Sequence, residues 1–454
     1  MVQIVSCTQP ETGEMETDPG KLAAPDHSQP EAGVAVRPLR VVVVGQGYVG
    51  LPLALHAADV GHHVIGFDTD RAKVENLKSG RSPIEDIADN ALESALSSGR
   101  YRPSSRPRDL VGFDIAVIAV PTPLTDGAPD LSFVRSAGHL VGVHLRAGAL
   151  VVLESTSYPG TTQILGDVLE SASGLKRGVD FGLGFSPERI DPGNRHWTVA
   201  TTPKIVSGID AVSLARVAEF YSGLVDRVVL VDRCEEAELA KLLENTFRAV
   251  NIAVVNELAE IARRAGVDFR RALAAAATKP FGFMAFDPGP GIGGHCLPVD
   301  PIYLSWWAAQ HGGSRSALID LAAQINNSRP GQVVDRLTHT LRARDRDLAG
   351  AQILLLGLAY KPGSGDIRES PAIEVARLLT ARGARVVACD PFVGDSAAAG
   401  IAVTDDVGLE LAAADAVVVL TDHDCFDYDQ IAAEAAFVLD CRGRLAAGAT
   451  VEQL

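Results

Sequence analysis

The stretch Leu39–Asp70, LRVVVVGQGYVGLPLALHAADVGHHVIGFDTD, restricts the fold more than any other part of the chain. Val41–Val44 is an apolar run of buried-strand length. Gly45, Gly47 and Gly50 follow at the spacing G-x-G-x-x-G and open a helical pattern, and HHVIGFD reads as a second strand ending in Asp68. That order predicts a parallel βαβ unit of a doubly wound sheet. Gly45 serves the tight turn, Gly47 leaves room beside a pyrophosphate, and Gly50 lets helix and strand pack closely, with the phosphates on helix N–H groups. Asp68, 18 residues beyond Gly50, can accept ribose hydroxyls and would repel a 2′-phosphate. The cofactor expected is therefore NAD rather than NADP.

Further strands carry polar residues at their carboxyl ends, the side that faces the ligand crevice of such a sheet. FDIAVIAVPTPL (113–124) places Thr122 there, and ALVVLESTSYPGTT (149–162) places Glu154 there. FGLGFSPERIDPGN (181–194) adds a strand and then a loop with Glu188 and Arg189. From residue 352 the plan repeats in QILLLGLAYKPGSGDIRESPAIEVARLLTARGARVVACDP, closed by Asp390 as Asp68 closes the first unit. The glycine triplet is missing, because Gly357 is followed by Leu-Ala-Tyr-Lys. This half should not take NAD. It offers Tyr360 to stack on a base, Lys361 and Arg368 for phosphate, and Arg442 on a later strand-end loop.

Between the two units, residues 235–266 contain no proline and are apolar around most of a helix. Such a helix would run on the order of 45 Å, and its apolar circumference predicts burial against a second subunit in a homodimer. Lys241 and Asn245 lie at i and i+4 on one face among leucines, where polar groups need partners. After it comes GPGIGGHCLPVDPIYL (289–304), a glycine- and proline-dense loop that holds Cys296 in a fixed place, with Asp300 four residues on. On spacing alone, Cys296 reads equally as a small thiol filling a turn. The expected organisation is α/β: a disordered tail (1–37), an NAD-binding Rossmann domain (38–222), a central all-α dimerisation domain (223–330) and a C-terminal Rossmann-like domain (331–454).

Composition narrows the function class. The net charge of −16 argues against nucleic acid, and no apolar run has the length of a membrane span. The six cysteines are scattered without CxxC or zinc spacing, so no metal site is expected and a reducing cytoplasm is.

These motifs together resemble the UDP-glucose/GDP-mannose dehydrogenase family from Leu39 to about Arg444. The likeness rests on Gly45–Gly50, Thr122 in VPTP, Glu154 in LEST, Lys241 and Asn245 in ELAKLLEN, Cys296 and Asp300 in GGHCLPVD, and Lys361 and Arg368 in YKPGSGDIRESP. The resemblance implies a four-electron oxidation of the C6 alcohol of a nucleotide sugar, with Cys296 as nucleophile and two NADH formed. It implies that Asp300, with Thr122, holds the water taking the first proton, that Lys241 and Asn245 stabilise the oxyanion, and that Glu154 serves the hydrolytic water. The resemblance further implies that Tyr48, Val49, Lys73 and Thr156 complete the cofactor set, and that Glu188, Arg189 and Lys279 join Tyr360, Lys361, Arg368 and Arg442 around the sugar nucleotide. SPERIDPG, TKPFGF, GGHC and Val299 before Asp300 resemble the branch that oxidises UDP-N-acetylhexosamines, UDP-GlcNAc or UDP-ManNAc. Alternatives are plain UDP-glucose as substrate, a two-electron hydroxyacid dehydrogenase that needs no cysteine, and a non-catalytic nucleotide-sugar binder.

Overall fold

Two mostly parallel sheets form around the two sequence units, and their central apolar strand runs are buried on both faces. The computed structural model describes residues 37–84, 87–190, 196–294, 296–394 and 400–454. The expected tail lies outside the described residues except for Arg37, and Pro38–Leu454 form one compact unit. The first sheet has the order Val228–Leu230, Lys204–Gly208, Gly182–Phe185, Leu150–Leu153, Ile115–Ile118, Arg40–Val44, His63–Phe67, Tyr101–Ser104. All neighbours are parallel except Gly182–Phe185 against Lys204–Gly208. The strand order reverses between Arg40–Val44 and Ile115–Ile118, which opens the crevice where such sheets bind ligands. The second sheet runs Ala402–Val403, Arg385–Cys389, Gln352–Leu356, Ala416–Val419, Val438–Asp440, Val451–Gln453, all parallel, with its reversal beside Gln352–Leu356.

Alternation along each strand sorts side chains between two apolar layers. On Leu150–Leu153, Leu150 and Val152 join a core with Phe220 and Tyr221, while Val151 and Leu153 join the opposite core with Leu165 and Phe181.

The helical region is built on Cys234–Arg264, 31 residues long, packed against Ala317–Ala343. Glu238 locks the long helix to the start of a helix that covers the first sheet. Its buried carboxylate accepts from the amides of Gly160 (2.7 Å) and Thr162 (2.8 Å) and from the Thr162 hydroxyl (2.7 Å), at the start of helix Thr161–Ser173. Lys241 and Asn245 lie three and seven residues further on, so the same anchor turns them toward the same side.

Two expected boundaries move. Strand Val228–Leu230 pairs with Lys204–Gly208, so the first sheet extends past residue 222. The boundary expected at 330 falls inside Ala317–Ala343, which continues through Pro330. A proline there leaves one helical carbonyl without its amide, that of Asn326, and the cysteine loop approaches it at Gly291.

Candidate active site

The glycine turn shows three separate reasons for glycine. Gly45 has φ +94°, and a Cβ there would stand 2.2 Å from the Ala119 carbonyl oxygen; at Gly50 a Cβ would stand 1.9 Å from the Gly45 oxygen. At Gly47 a Cβ would meet nothing within 4 Å, which leaves open space above the turn. Asp68, buried at the end of its strand, accepts from the Gln46 amide (3.0 Å), the Asp70 amide (2.9 Å) and Lys73 Nζ (2.8 Å). A dinucleotide fits this arrangement: tight turn, open cradle and acidic strand end are in register. Lys73 is thus tied to Asp68, while Tyr48, Val49 and Thr156 lie partly exposed along the two loops that border the crevice.

The second unit replaces that cradle with a closed loop. Asp390 accepts from the amides of Leu358 (2.7 Å), Ala359 (2.8 Å) and Phe392 (2.9 Å), and its partner His423 takes the Gly363 amide on Nδ1 at 3.1 Å. The Ala359 amide, two residues past Gly357 as Gly47 is two past Gly45, is thereby taken up within the protein.

The cysteine loop is held at both ends. At its start the Gly289 amide donates to Asn256 (2.9 Å) and the Gly289 carbonyl accepts from Arg329 (3.0 Å), both side chains buried in the helical pair. Further along, a Cβ on Gly293 would fall 2.6 Å from Tyr360 Cβ, and one on Gly294, at φ +84°, 2.9 Å from the Tyr360 ring. Tyr360, the residue expected to stack on a base, therefore packs against the loop. At its end the Cys296 carbonyl accepts from the amides of Val299 (3.1 Å) and Asp300 (2.8 Å) and starts helix Asp300–Gly312. On that helix Tyr303 donates its hydroxyl to the Thr122 carbonyl, joining it to the first sheet.

Around Cys296 the charges are close and shielded from water. Asn245 Nδ2 donates to Asp300 Oδ2 at 2.5 Å. Lys241 Nζ lies 3.8 Å from Glu188 Oε2, both buried. Burial pushes the Asp300 carboxyl up to about 7, against the pull of Lys241 and the Asn245 hydrogen bond. Burial likewise pushes the Cys296 thiol up to about 12, Asp300 adding to it and Lys241 opposing. Lys241 is held above its usual value: desolvation alone would lower it, but Glu188, Cys296 and Asp300 outweigh that. Burial raises Glu188, with Lys241 and Lys204 pulling the other way.

Not every expected residue joins this group. Glu154 accepts from Lys204 Nζ (3.0 Å) and from the Tyr221 hydroxyl, and the carboxylate that shares Lys241 is Glu188. Arg189 points to Glu244 (2.7 Å) and the Pro203 carbonyl (2.7 Å). Lys279 is on an exposed segment, 4.9 Å from the ring centre of Phe281. Arg368 binds Asp366, and Arg442 donates to the Leu420 carbonyl (2.7 Å) beside Gly289; Lys361 lies partly exposed on the Tyr360 loop. Sequence reading missed Asn256, Arg329 and Glu238, whose only sequence signal is polarity on otherwise apolar helices. Among the described residues no group of three or more His, Cys, Asp or Glu could hold a metal ion, and no helix is long and apolar enough to cross a membrane.

Known proteins are similar to this chain over most of its length. Residues 39–225 match the NAD binding domain of the UDP-glucose/GDP-mannose dehydrogenase family, residues 235–328 its central domain, and residues 354–447 its UDP binding domain. The UDP-N-acetyl-D-mannosamine dehydrogenase of Pyrococcus horikoshii is 36% identical over 386 residues, 85% of this chain and 90% of that protein. The UDP-N-acetyl-D-glucosamine 6-dehydrogenase of Pseudomonas aeruginosa is 36% identical over 366 residues, 79% of this chain and 84% of that protein. Among solved structures, the UDP-D-ManNAc dehydrogenase of Pyrococcus horikoshii superposes with a TM-score of 0.83 at 33% identity, covering 91% of this chain and 99% of that one. A UDP-glucose dehydrogenase from Pyrobaculum islandicum gives 0.81 at 29% identity, covering 92% and 98%.

Proposed function

This chain belongs to the UDP-glucose/GDP-mannose dehydrogenase family and is an NAD-dependent nucleotide-sugar dehydrogenase, and from that premise we propose that it oxidises the C6 alcohol of a UDP-N-acetylhexosamine to the acid. The observation that carries the four-electron reading is the partly exposed Cys296 facing the buried Lys241, Asp300 and Glu188. A two-electron alcohol dehydrogenase has no use for a positioned thiol. The relatives named for UDP-N-acetylmannosamine and UDP-N-acetylglucosamine support the N-acetyl sugar, as do SPERIDPG and GGHC.

NAD, when bound on the glycine turn, supplies the hydride acceptor for each of the two oxidation steps. The chain's own residues do the rest. Asp300, with a carboxyl held near neutrality, takes the proton of the C6 hydroxyl through water, which Thr122 at the facing strand end helps to hold. Cys296 Sγ then adds to the aldehyde carbon while its proton passes to the former carbonyl oxygen, which Lys241 faces as it gains charge, giving a thiohemiacetal hydroxyl. One such donor is typically worth ~3–4 kcal/mol. After the second oxidation the acyl group is a thioester on Cys296. We assign the hydrolytic water to Glu188 in place of Glu154, because Glu188 is the carboxylate that shares Lys241.

A panel of UDP- and GDP-sugars followed by NADH absorbance tests the reading. Two NADH per sugar, with an N-acetylhexosamine giving the highest kcat/KM, are expected. One NADH per substrate would overturn the thioester route, and a higher kcat/KM for UDP-glucose would overturn the substrate.

A further inference from the structure

We propose that Lys204, partly exposed, and the buried Glu154 form an ion pair that sets the ionisation of Glu188, and so are positioning residues for thioester hydrolysis; this rests on Glu188 being the base, as read above. Glu188 follows strand Gly182–Phe185, whose neighbour Lys204–Gly208 runs antiparallel, with Phe185 opposite Ser207 and Ser186 donating to the Ile205 carbonyl at 2.8 Å. That register carries the chain after Phe185 toward Lys204. Lys204 Nζ lies 3.0 Å from Glu154 Oε1 and 5.2 Å from the centre of the Tyr221 ring. The Tyr221 hydroxyl donates to the same carboxylate. Burial holds the Tyr221 phenol far above its usual range, so it stays a donor.

The charged groups facing Glu188 are Lys241 from the long helix, Lys204 from the neighbouring strand and Glu154 from the end of Leu150–Leu153, with Asp300 and Cys296 across the cluster. Its own neighbour Arg189 is directed to Glu244. Negative and positive groups therefore alternate from Glu154 through Lys204 and Glu188 to Lys241. The arrangement answers a conflict in the demands on Lys241, whose charge is shared with Cys296, Asp300 and the developing oxyanion. Lys204 is a second cation facing Glu188, from the strand that neighbours Gly182–Phe185. Glu154 balances it, so Glu188 is not driven into a fixed, weakly basic carboxylate. A cavity of about 20 Å³ lies beside the pair, lined by Glu154, Arg189, Thr202, Lys204 and Tyr221 together with aliphatic side chains, room for about one water. The Thr202 hydroxyl is buried without a hydrogen-bond partner among the described residues.

The test follows loss of the Cys296 adduct by rapid-quench mass spectrometry across pH. Hydrolysis needs Glu188 ionised, so its rate rises with pH through the Glu188 midpoint. Removing the anion in Glu154→Gln should move that midpoint down by about one pH unit, and removing the cation in Lys204→Met should move it up by about one unit. Lys204→Arg and the double variant Glu154→Gln/Lys204→Met should return close to the native midpoint. A midpoint does not depend on how much enzyme is active, so partial misfolding cannot imitate opposite shifts. Midpoints that stay put, or that move the same way in both single variants, overturn the proposal. If Glu188→Gln hydrolyses the adduct at the native rate, the assignment of the base fails instead, whatever the midpoints do.

Discussion

The guanidinium carbon of Arg368 lies 4.9 Å from the ring centre of Tyr48, which joins the loop of the second sheet to the glycine turn of the first. Asp366 holds Arg368 in that orientation through both carboxylate oxygens, at 2.9 and 3.0 Å from Nε and 2.5 Å from Nη2. Cofactor and sugar nucleotide would meet at this contact. A partly desolvated stack is worth roughly 1 kcal/mol, about fivefold in binding. Arg368→Ala should therefore raise KM for NAD as well as for the sugar nucleotide, and Arg368→Lys should recover part of both. A rise confined to the sugar would show that the stack does not serve the cofactor.

Cofactor choice turns on Asp68 and its partner Lys73, 2.8 Å apart. Meeting a 2′-phosphate with a buried carboxylate costs several kcal/mol, so kcat/KM for NAD should exceed that for NADP by at least ~100-fold. Asp68→Ala should narrow the gap from both sides, because it removes the carboxylate and releases Lys73 toward the phosphate. Equal use of both cofactors by the native protein would contradict the role of Asp68.

Covalent catalysis makes different demands on two residues. Glu188→Gln should form the thioester and release it slowly, giving a burst of about two NADH per site and an acyl adduct on Cys296 by mass spectrometry. Cys296→Ala should give neither adduct nor acid, while the first oxidation survives weakly because it needs no thiol. Full acid production by Cys296→Ala would refute the thioester.

Asp300 sets a pH dependence whose sign can be worked out. Its carboxyl sits near 7 and must be ionised to accept the first proton, so the rate of the first oxidation should rise with pH through about 7. The 2.5 Å hydrogen bond from Asn245 favours the ionised form. Asn245→Ala should therefore shift the midpoint upward, by up to ~1 pH unit, in addition to lowering the rate. A midpoint that falls in pre-steady-state measurements would show that Asp300 is not the group that titrates.

Along the long helix, Leu239, Leu243, Phe247, Val254, Leu258 and Ile261 are large apolar side chains left exposed at mostly helical spacing. A stripe of that length on a 31-residue helix fits a second copy of the chain. Sedimentation should give a dimer for the native protein, and Leu243→Glu with Phe247→Glu should weaken it by at least tenfold in Kd, about 1.4 kcal/mol. A native protein that sediments as a monomer at assay concentration would remove the proposal.

Local chemistry already determined much of this protein. A strand, three spaced glycines, a helix and a strand-end acid specify a dinucleotide turn because each step is a constraint on neighbouring backbone. Helical period alone put Lys241 and Asn245 on one face, and the loss of the glycine triplet after Gly357 marked the second unit as different. Tertiary structure decided which acid reaches that face. Glu154 and Glu188 both follow strand ends, but the Glu154 amide still pairs with the Ile118 carbonyl at 2.8 Å, so its strand has not ended. Alternation then continues from Leu150 and Val152 and delivers Glu154 to the layer of Tyr221. Glu188, three residues past Phe185, meets Lys241. The anchoring of Gly289 by Asn256 and Arg329 is equally invisible in the sequence, since it joins residues 33 and 40 positions apart through the packing of two helices.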